Sequence, residues 1–352
     1  MGHRVIFTRF RPSSLGGGSR LNHLYLDKPV EMKNFFQVLY IFSLIFIFSA
    51  SVSHAASFAE RCAGSGVVIC EGFDSEQIIT NYATLSDDGN IRAFLDTAVK
   101  ASGGGSLRFD IPPYTGPSSS GSWTLPLGTD HGFTVGEGDT VYIQFRQRFN
   151  RAVVEEASTF SGGGMKQFIL YKYPSSCGNL EFAQTNAQHK GAYVLYTECG
   201  ARNFAIPYGG WDRLRQHGVP LNESYFCLYS KWNNNDLKDC GVYRPDEWMT
   251  FYIKLKIGEF YQSNSEVIAW VAYEGEDFKQ YTYRDDFTFI YNNNSNDAFD
   301  TFKLTPYNTG KDNTVDHSMG YTWYDELIIS TQPIALPTDS FPPSPPTDLQ
   351  IN

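Results

Sequence analysis

Residues 141–150, VYIQFRQRFN, alternate: the odd positions Val141, Ile143, Phe145 and Phe149 are apolar, broken only by Gln147, whereas Tyr142, Gln144, Arg146 and Arg148 are polar. Successive side chains of a strand point to opposite faces, so this period of two demands a sheet with one face on a core and the other turned away from it. The demand recurs. In TFYIKLKIG, Phe251, Ile253, Leu255 and Ile257 oppose Tyr252, Lys254 and Lys256, and in DTFKLTPYNTG, Phe302 and Leu304 oppose Lys303, Thr305 and Tyr307. Strand-like runs follow one another at 106–111, 140–149, 165–173, 191–198, 225–230, 248–257, 266–274, 299–307 and 321–330, separated by turn-rich segments. Many strands with almost no helix predict an all-β sandwich or barrel, and 16% aromatic residues with 31 glycines agree with it.

One stretch reads differently. DDGNIRAFLDTAVKA places Ile91, Phe94, Leu95 and Val99 at helical spacing and predicts a short helix. Residues 32–55 carry Lys33, an apolar run from Phe35 to Phe48, and Ser53-His54-Ala55 as a small-residue cleavage site. They read as a secretory signal peptide cut after Ala55, the apolar run being short for a membrane span. Residues 1–31 read as a non-native extension, 56–335 as a single sandwich domain, and 336–352 as a Pro-rich tail. The expected location is therefore extracellular or periplasmic, with no stable membrane span after cleavage.

The chain holds 28 basic and 38 acidic residues; without the six and two of residues 1–55, 22 and 36 remain, a formal charge of −14. That excess of acid excludes nucleic acid as the expected partner. Residues 141–216 run against it, with nine Lys/Arg and five Asp/Glu, which points to an anionic ligand or to a solvated mixed surface. All six cysteines follow residue 55, and an even count in an exported chain predicts disulfides: Cys62 with Cys70, Cys177 with Cys199, Cys227 with Cys240. No short Cys-x-x-Cys pair speaks for metal. Asp312, Asn313 and Asp316 are oxygen ligands that a structural calcium would take, and no other cofactor is expected. Asn222 and Asn293 open glycosylation sequons, relevant in a eukaryotic secretory route.

The succession VYIQFRQRF, GGGMKQFILY, DEWMTFYIKLKIG, SEVIAWVAYEG and FDTFKLTPYNTGKD, closing on YTWYDELIIS, resembles concanavalin-A-like jelly rolls of bacterial extracellular proteins over residues 105–332. It is similar to a set of uncharacterised secreted proteins and, more distantly, to polysaccharide lyases of the alginate-lyase and heparin-lyase type. The resemblance implies a jelly-roll β-sandwich of two antiparallel sheets that binds an acidic polysaccharide on its concave face. In the alginate-lyase pattern an Arg, a Gln-x-His strand and a Tyr-Phe-Lys-x-Gly-x-Tyr strand converge there. Carried over, Arg146 or Arg148 takes the Arg position, Gln167 the Gln, Lys303 the Lys and Tyr307 the final Tyr, while the His position holds Ile169.

Those residue types fit one chemistry. β-Elimination of a uronic acid removes the proton beside the carboxylate, so donors such as Arg146 and Gln167 must neutralise that carboxylate. Tyr307, beside cations, takes the proton or passes one to the leaving oxygen. Arg148, Lys303, Tyr142, Gln144 and the loop residue His189 are the expected substrate contacts. Each has a plainer reading: the arginines hydrate an exposed sheet or pair with Glu155 and Glu156, Gln167 is an ordinary strand residue, and Tyr307 packs on Pro306. A lectin-like protein is the first alternative, with Tyr208, Trp211, Trp232 and Tyr243 stacking on sugar rings. A glycoside hydrolase is the second. The Glu-x-Asp-x-Glu spacing of retaining glucanases of this architecture is missing, and the adjacent Asp325 and Glu326 should face opposite sides of a strand.

Overall fold

The computed structural model describes residues 56–155, 165–174, 180–187, 192–197, 243–289, 297–308 and 310–337, and these form a jelly-roll sandwich of two antiparallel sheets. The larger sheet runs β12 (Lys279–Phe287), β11 (Ser265–Tyr273), β10 (Met249–Lys256), β6 (Thr140–Phe149), β14 (Gly320–Ser330), β4 (Ser106–Ile111), β3 (Ala93–Asp96), with β1 (Val67–Glu71) paired to the far half of β14. The smaller sheet runs β2 (Ala83–Thr84), β5 (Ser122–Pro126), β13 (Thr301–Leu304), β7 (Met165–Tyr171), β8 (Glu181–Ala187), β9 (Ala192–Thr197). Among the described residues four short helices join them: α1 (Phe58–Cys62), α2 (Glu76–Tyr82), α3 (Leu127–His131) and α4 (Arg151–Glu155). Among the described residues no helix is long and apolar enough to cross a membrane.

The period-two runs form strands because the core between the sheets takes their apolar halves. Val141, Ile143, Phe145 and Phe149 of β6, Phe251, Ile253 and Leu255 of β10, and Phe302 and Leu304 of β13 are fully buried there. Phe145 stacks on Phe251 and meets Phe168 of β7 edge-on, at ring separations of 5.3 and 5.6 Å, so aromatic contacts join the two layers. The core also holds a polar line. Gln147 Nε2 donates to Gln167 Oε1 at 2.6 Å and to Thr322 Oγ1 at 3.2 Å, and Tyr324 OH donates to the Gln167 carbonyl at 2.8 Å.

The outer face of the larger sheet carries a second, smaller apolar cluster under residues 56–62 and 334–337. Ile328, Tyr252, Ala272, Phe278 and Ile334 pack there with Phe58, Tyr142, Trp270 and Leu336, and Ala56 N–H donates to the Leu336 carbonyl. Ser57 caps α1 through a reciprocal capping box with Glu60. The cap aims Arg61 into this layer, where its guanidinium bonds both Glu326 and Gln144, all three being buried. Cys62 and Cys70 form a disulfide with a Cα separation of 5.6 Å, tying α1 to β1 as expected. The four other cysteines, the expected signal segment, the tail beyond 337 and both sequons lie outside the described residues.

Three expectations change. The helix expected around Ile91–Val99 is the edge strand β3, because Ala93–Asp96 pairs with β4 and sets Phe94 beside Arg108. Pairing with a neighbour outweighed a local helical spacing. Tyr243 is not a sugar platform: it is buried in the core against Phe149 at 4.6 Å. Asp325 and Glu326 do not face opposite sides. A bulge, with Glu326 at φ 51° and a register slip between Asp325 and Ile328, turns both from the core. Asp325 then accepts from the backbone N–H groups of Ala101 and Ser102, and burial raises its carboxyl to about 7.

Arg61→Met removes one partner of a buried ion pair and should cost about 3–5 kcal/mol, because Glu326 is left charged and unpaired. Urea denaturation checks this. Arg61→Met combined with Glu326→Leu should recover much of the loss, and an unchanged midpoint for the single variant would contradict the assignment.

Candidate functional site on the smaller sheet

The outer face of the smaller sheet is built by β13, β7, β8 and β9 in register. Lys303 lies opposite Ile169, Ile169 opposite Ala183, and Ala183 opposite Tyr196, one residue from each strand in a single row. Ile169, Tyr171, Ala183 and Tyr196 form a cluster separate from the main core, whereas their neighbours Leu170, Phe182 and Leu195 belong to it. A bulge breaks the alternation along β7 once. The register slips between Lys166 and Phe168, so Gln167 and Phe168 both turn inward and Lys166 stays on the outer face with Ile169 and Tyr171.

Lys166 is the hub. Its Nζ donates to Glu181 Oε1 at 3.0 Å and lies 5.5 Å from the Tyr196 ring centroid and 5.8 Å from that of Tyr307. The Lys166 backbone N–H donates to the Tyr307 carbonyl at 2.7 Å, which fixes the segment after β13 against β7. Glu181 is fully buried and also takes a hydrogen bond from Tyr196, whose phenol is pushed well above its usual range by burial and by the Glu181 charge. Tyr196 therefore stays protonated. Lys303 Nζ sits 5.2 Å from the Tyr171 ring. Burial and the Lys166 charge lower the Lys303 ammonium below its ordinary range, and Glu181 only partly offsets them. Burial, with Asp300 nearby, raises Tyr171 to about 12.

Most of this cluster is buried, but Lys303 and Tyr307 are half-buried and give solvent its way in. Two lysines, three phenols and one carboxylate thus share an apolar floor of Ile169 and Ala183. The arrangement offers fixed positive charge for an anion, an amine with a weakened hold on its proton, and a phenol that carries one. Among the described residues no group of His, Cys, Asp and Glu is placed to hold a metal ion. Asp312 instead accepts from the Thr314 N–H and hydroxyl.

Of the expected site residues, Lys303 and Tyr307 lie on this face. The other described ones do not join them. Arg146 and Arg148 belong to β6 of the larger sheet, where the alternation points them away from the core and so to the opposite side of the sandwich. Tyr142 and Gln144 share that side: Tyr142 packs on Tyr252, and Gln144 receives the Arg61 guanidinium. Gln167 lies between the layers, its Nε2 donating to the Met165 carbonyl at 2.7 Å. A single trough holding Arg146, Gln167, Lys303 and Tyr307 is therefore ruled out by strand facing. His189, Tyr208, Trp211 and Trp232 lie outside the described residues. Lys166, Glu181 and Tyr196 were missed. Lys166 stood in the quoted MKQFILY run, and the visible signal was its place three residues before Ile169, hidden by the bulge.

No protein-family model and no curated protein sequence matches the chain. Solved structures do. The marine PL-14 alginate lyase from Aplysia kurodai superposes with a TM-score of 0.51 at 14% identity, over 76% of this chain and 100% of that one. An endo-β-1,4-glucuronan lyase from the fungus Trichoderma reesei gives 0.44 at 14% identity, over 74% and 94%. An alginate lyase from a Chlorella virus gives 0.42 at 12% identity, over 75% and 99%. The chain has the fold of the first of these.

Isotope-labelled methylated lysines followed by NMR should show Lys303 titrating below an ordinary lysine. In Lys166→Met it should move back upward while staying below the ordinary value, since the neighbouring charge is gone and burial remains. An ordinary titration in the unsubstituted protein would contradict the described contacts.

Proposed function

We propose that the protein is an exported polysaccharide lyase that cleaves a uronic-acid polymer by β-elimination on the outer face of the smaller sheet. The observation that carries this reading is the Lys166 ammonium, held by Glu181 at 3.0 Å between the Tyr196 and Tyr307 rings and beside a second, proton-weakened lysine. The fold shared with an alginate lyase supports it, and so does the Cys62–Cys70 disulfide, which suits an oxidising compartment.

The roles follow from charge and exposure. Lys166 keeps its charge beside Glu181 and sets it against the sugar carboxylate, stabilising the negative charge that grows when the adjacent carbon loses its proton. Lys303 in its neutral form takes that proton. The electron pair closes a double bond as the glycosidic carbon–oxygen bond breaks, and the half-buried Tyr307 phenol passes a proton to the departing oxygen. Glu181 and Tyr196 hold Lys166 in place from beneath.

The carboxylate-facing Gln-x-His pair of the resembling lyases is absent from this face, since Gln167 points inward and Ile169 stands at the His position. That observation favours the second reading, a lectin-like protein that binds the polymer on the same face without cutting it.

Incubation with alginate, glucuronan and polygalacturonate, followed by ultraviolet absorbance of unsaturated ends, separates the two. The expected result is absorbance growth on one polymer. Lys303→Ala and Tyr307→Phe should each lower kcat about 10²–10⁴-fold, as removal of a proton-transfer group does. Retention on a polymer with no absorbance from any of them would establish the binding protein instead.

A further inference from the structure

The larger sheet turns a different set of groups away from the core. Phe94 of β3 lies opposite Arg108 of β4, Arg108 opposite Trp323 of β14, and Trp323 opposite Arg148 of β6, so one row across four strands alternates ring, guanidinium, ring, guanidinium. Strands lie about 4.8 Å apart, which makes the row roughly 14 Å long. Two residues along β14, Tyr321 extends it: its ring centroid is 5.7 Å from that of Trp323.

The two guanidinium groups have unlike surroundings. Arg108 sits 5.5 Å from the centroids of both the Phe94 and Tyr321 rings, and it is neutralised by Asp96 at 3.1 Å and Asp110 at 2.9 Å. Asp96 also accepts from Trp323 Nε1 at 2.9 Å, so these carboxylates are already engaged. Arg148 lies 5.9 Å from the Trp323 ring centroid and has no carboxylate or carbonyl partner among the described residues, its Nε being buried and unbonded. Arg148, Arg108, Phe94 and Tyr321 are half-buried and reachable from solvent, whereas Trp323 is buried among them. A guanidinium stacked on an indole with its fork unused is built to receive a carboxylate in two parallel hydrogen bonds. Rings spaced along a sheet match the apolar faces of successive pyranoses.

We propose that this row is a second glycan site, distinct from the cluster on the smaller sheet, which grips a uronic-acid polymer through Arg148, backed by the buried Trp323, and stacks its sugars on the half-buried Tyr321 and Phe94. Only its ligand class rests on the proposed function; the strip itself stands on the row's own geometry. A chain held here anchors the polymer on the face opposite the cluster, which matters for long substrates and not for short ones.

Native electrophoresis of the full chain through gels containing alginate or polygalacturonate tests it, with a gel of neutral glucan as the blank. Wild-type protein should be retarded by a polyuronate. Arg148→Ala and Arg148→Gln should each weaken that retardation about tenfold or more in apparent Kd, the loss of one charge-assisted fork. Among the described residues the Arg148 guanidinium has no hydrogen-bond or ion-pair partner and touches only the Trp323 ring, so thermal melts of both variants should stay close to wild type. Lys166→Met should keep the retardation while losing any ultraviolet-detected cleavage, so the two sites report separately. Arg148 variants retarded like wild type, or retardation lost only in Lys166→Met, would overturn the second site whatever the cleavage assay shows.

Discussion

One bulge governs the candidate site. Between Lys166 and Phe168 strand β7 gains a residue, and Gln167 is turned into the interior, where Gln147, the Met165 carbonyl and Tyr324 OH complete its hydrogen bonds. A buried amide without those partners would cost about 1–3 kcal/mol, so the bulge and its polar line stand together. Its consequence is directional. On its outer side Lys166 reaches Glu181 and Tyr196 while Ile169 still faces outward four strands wide with Lys303; an uninterrupted alternation would put one of them inside.

The second bulge acts in the same way on the other layer. β14 pairs with β4 through Tyr324 and with β1 from Leu327 on, and the slip between Asp325 and Ile328 lies at the change of partner. It turns Glu326 up to the Arg61 guanidinium and leaves Trp323 facing out in its row with Arg108 and Arg148. The sandwich therefore has two chemically distinct outer faces. The smaller sheet presents lysines and phenols over an apolar floor, and the larger sheet presents arginines layered with rings.

The fold was legible because alternation is a strong signal when one face is buried. β6 runs Thr140–Phe149, the bounds its pattern predicts, and β4, β7, β10, β11 and β14 fall within two residues of expectation. β8 and β12 were not seen, because Gln184 is an inward residue satisfied by Tyr243 and Tyr281, and Arg284, Asp285 and Asp286 mask the pattern of an edge strand. The site was half legible. Lys303 of β13 and Tyr307, three residues beyond its end, lie on one face because the following segment stays bonded to β7 through the Lys166 N–H and the Tyr307 carbonyl. Arg146 was grouped with them because alternation within a strand says which residues share a face, but not which of two sheets that strand joins; Gln167 shares their sheet, but the β7 bulge turns it inward.

The central claim is that a uronic-acid chain reacts over Lys166 and Lys303. A crystal structure of the Tyr307→Phe variant soaked with a uronate oligosaccharide addresses it most directly. The account predicts sugar density across β13, β7 and β8, with a carboxylate in hydrogen-bonding reach of Lys166 Nζ. Density confined to the arginine-bearing face, with the Lys166–Glu181 pair uncontacted, would contradict it.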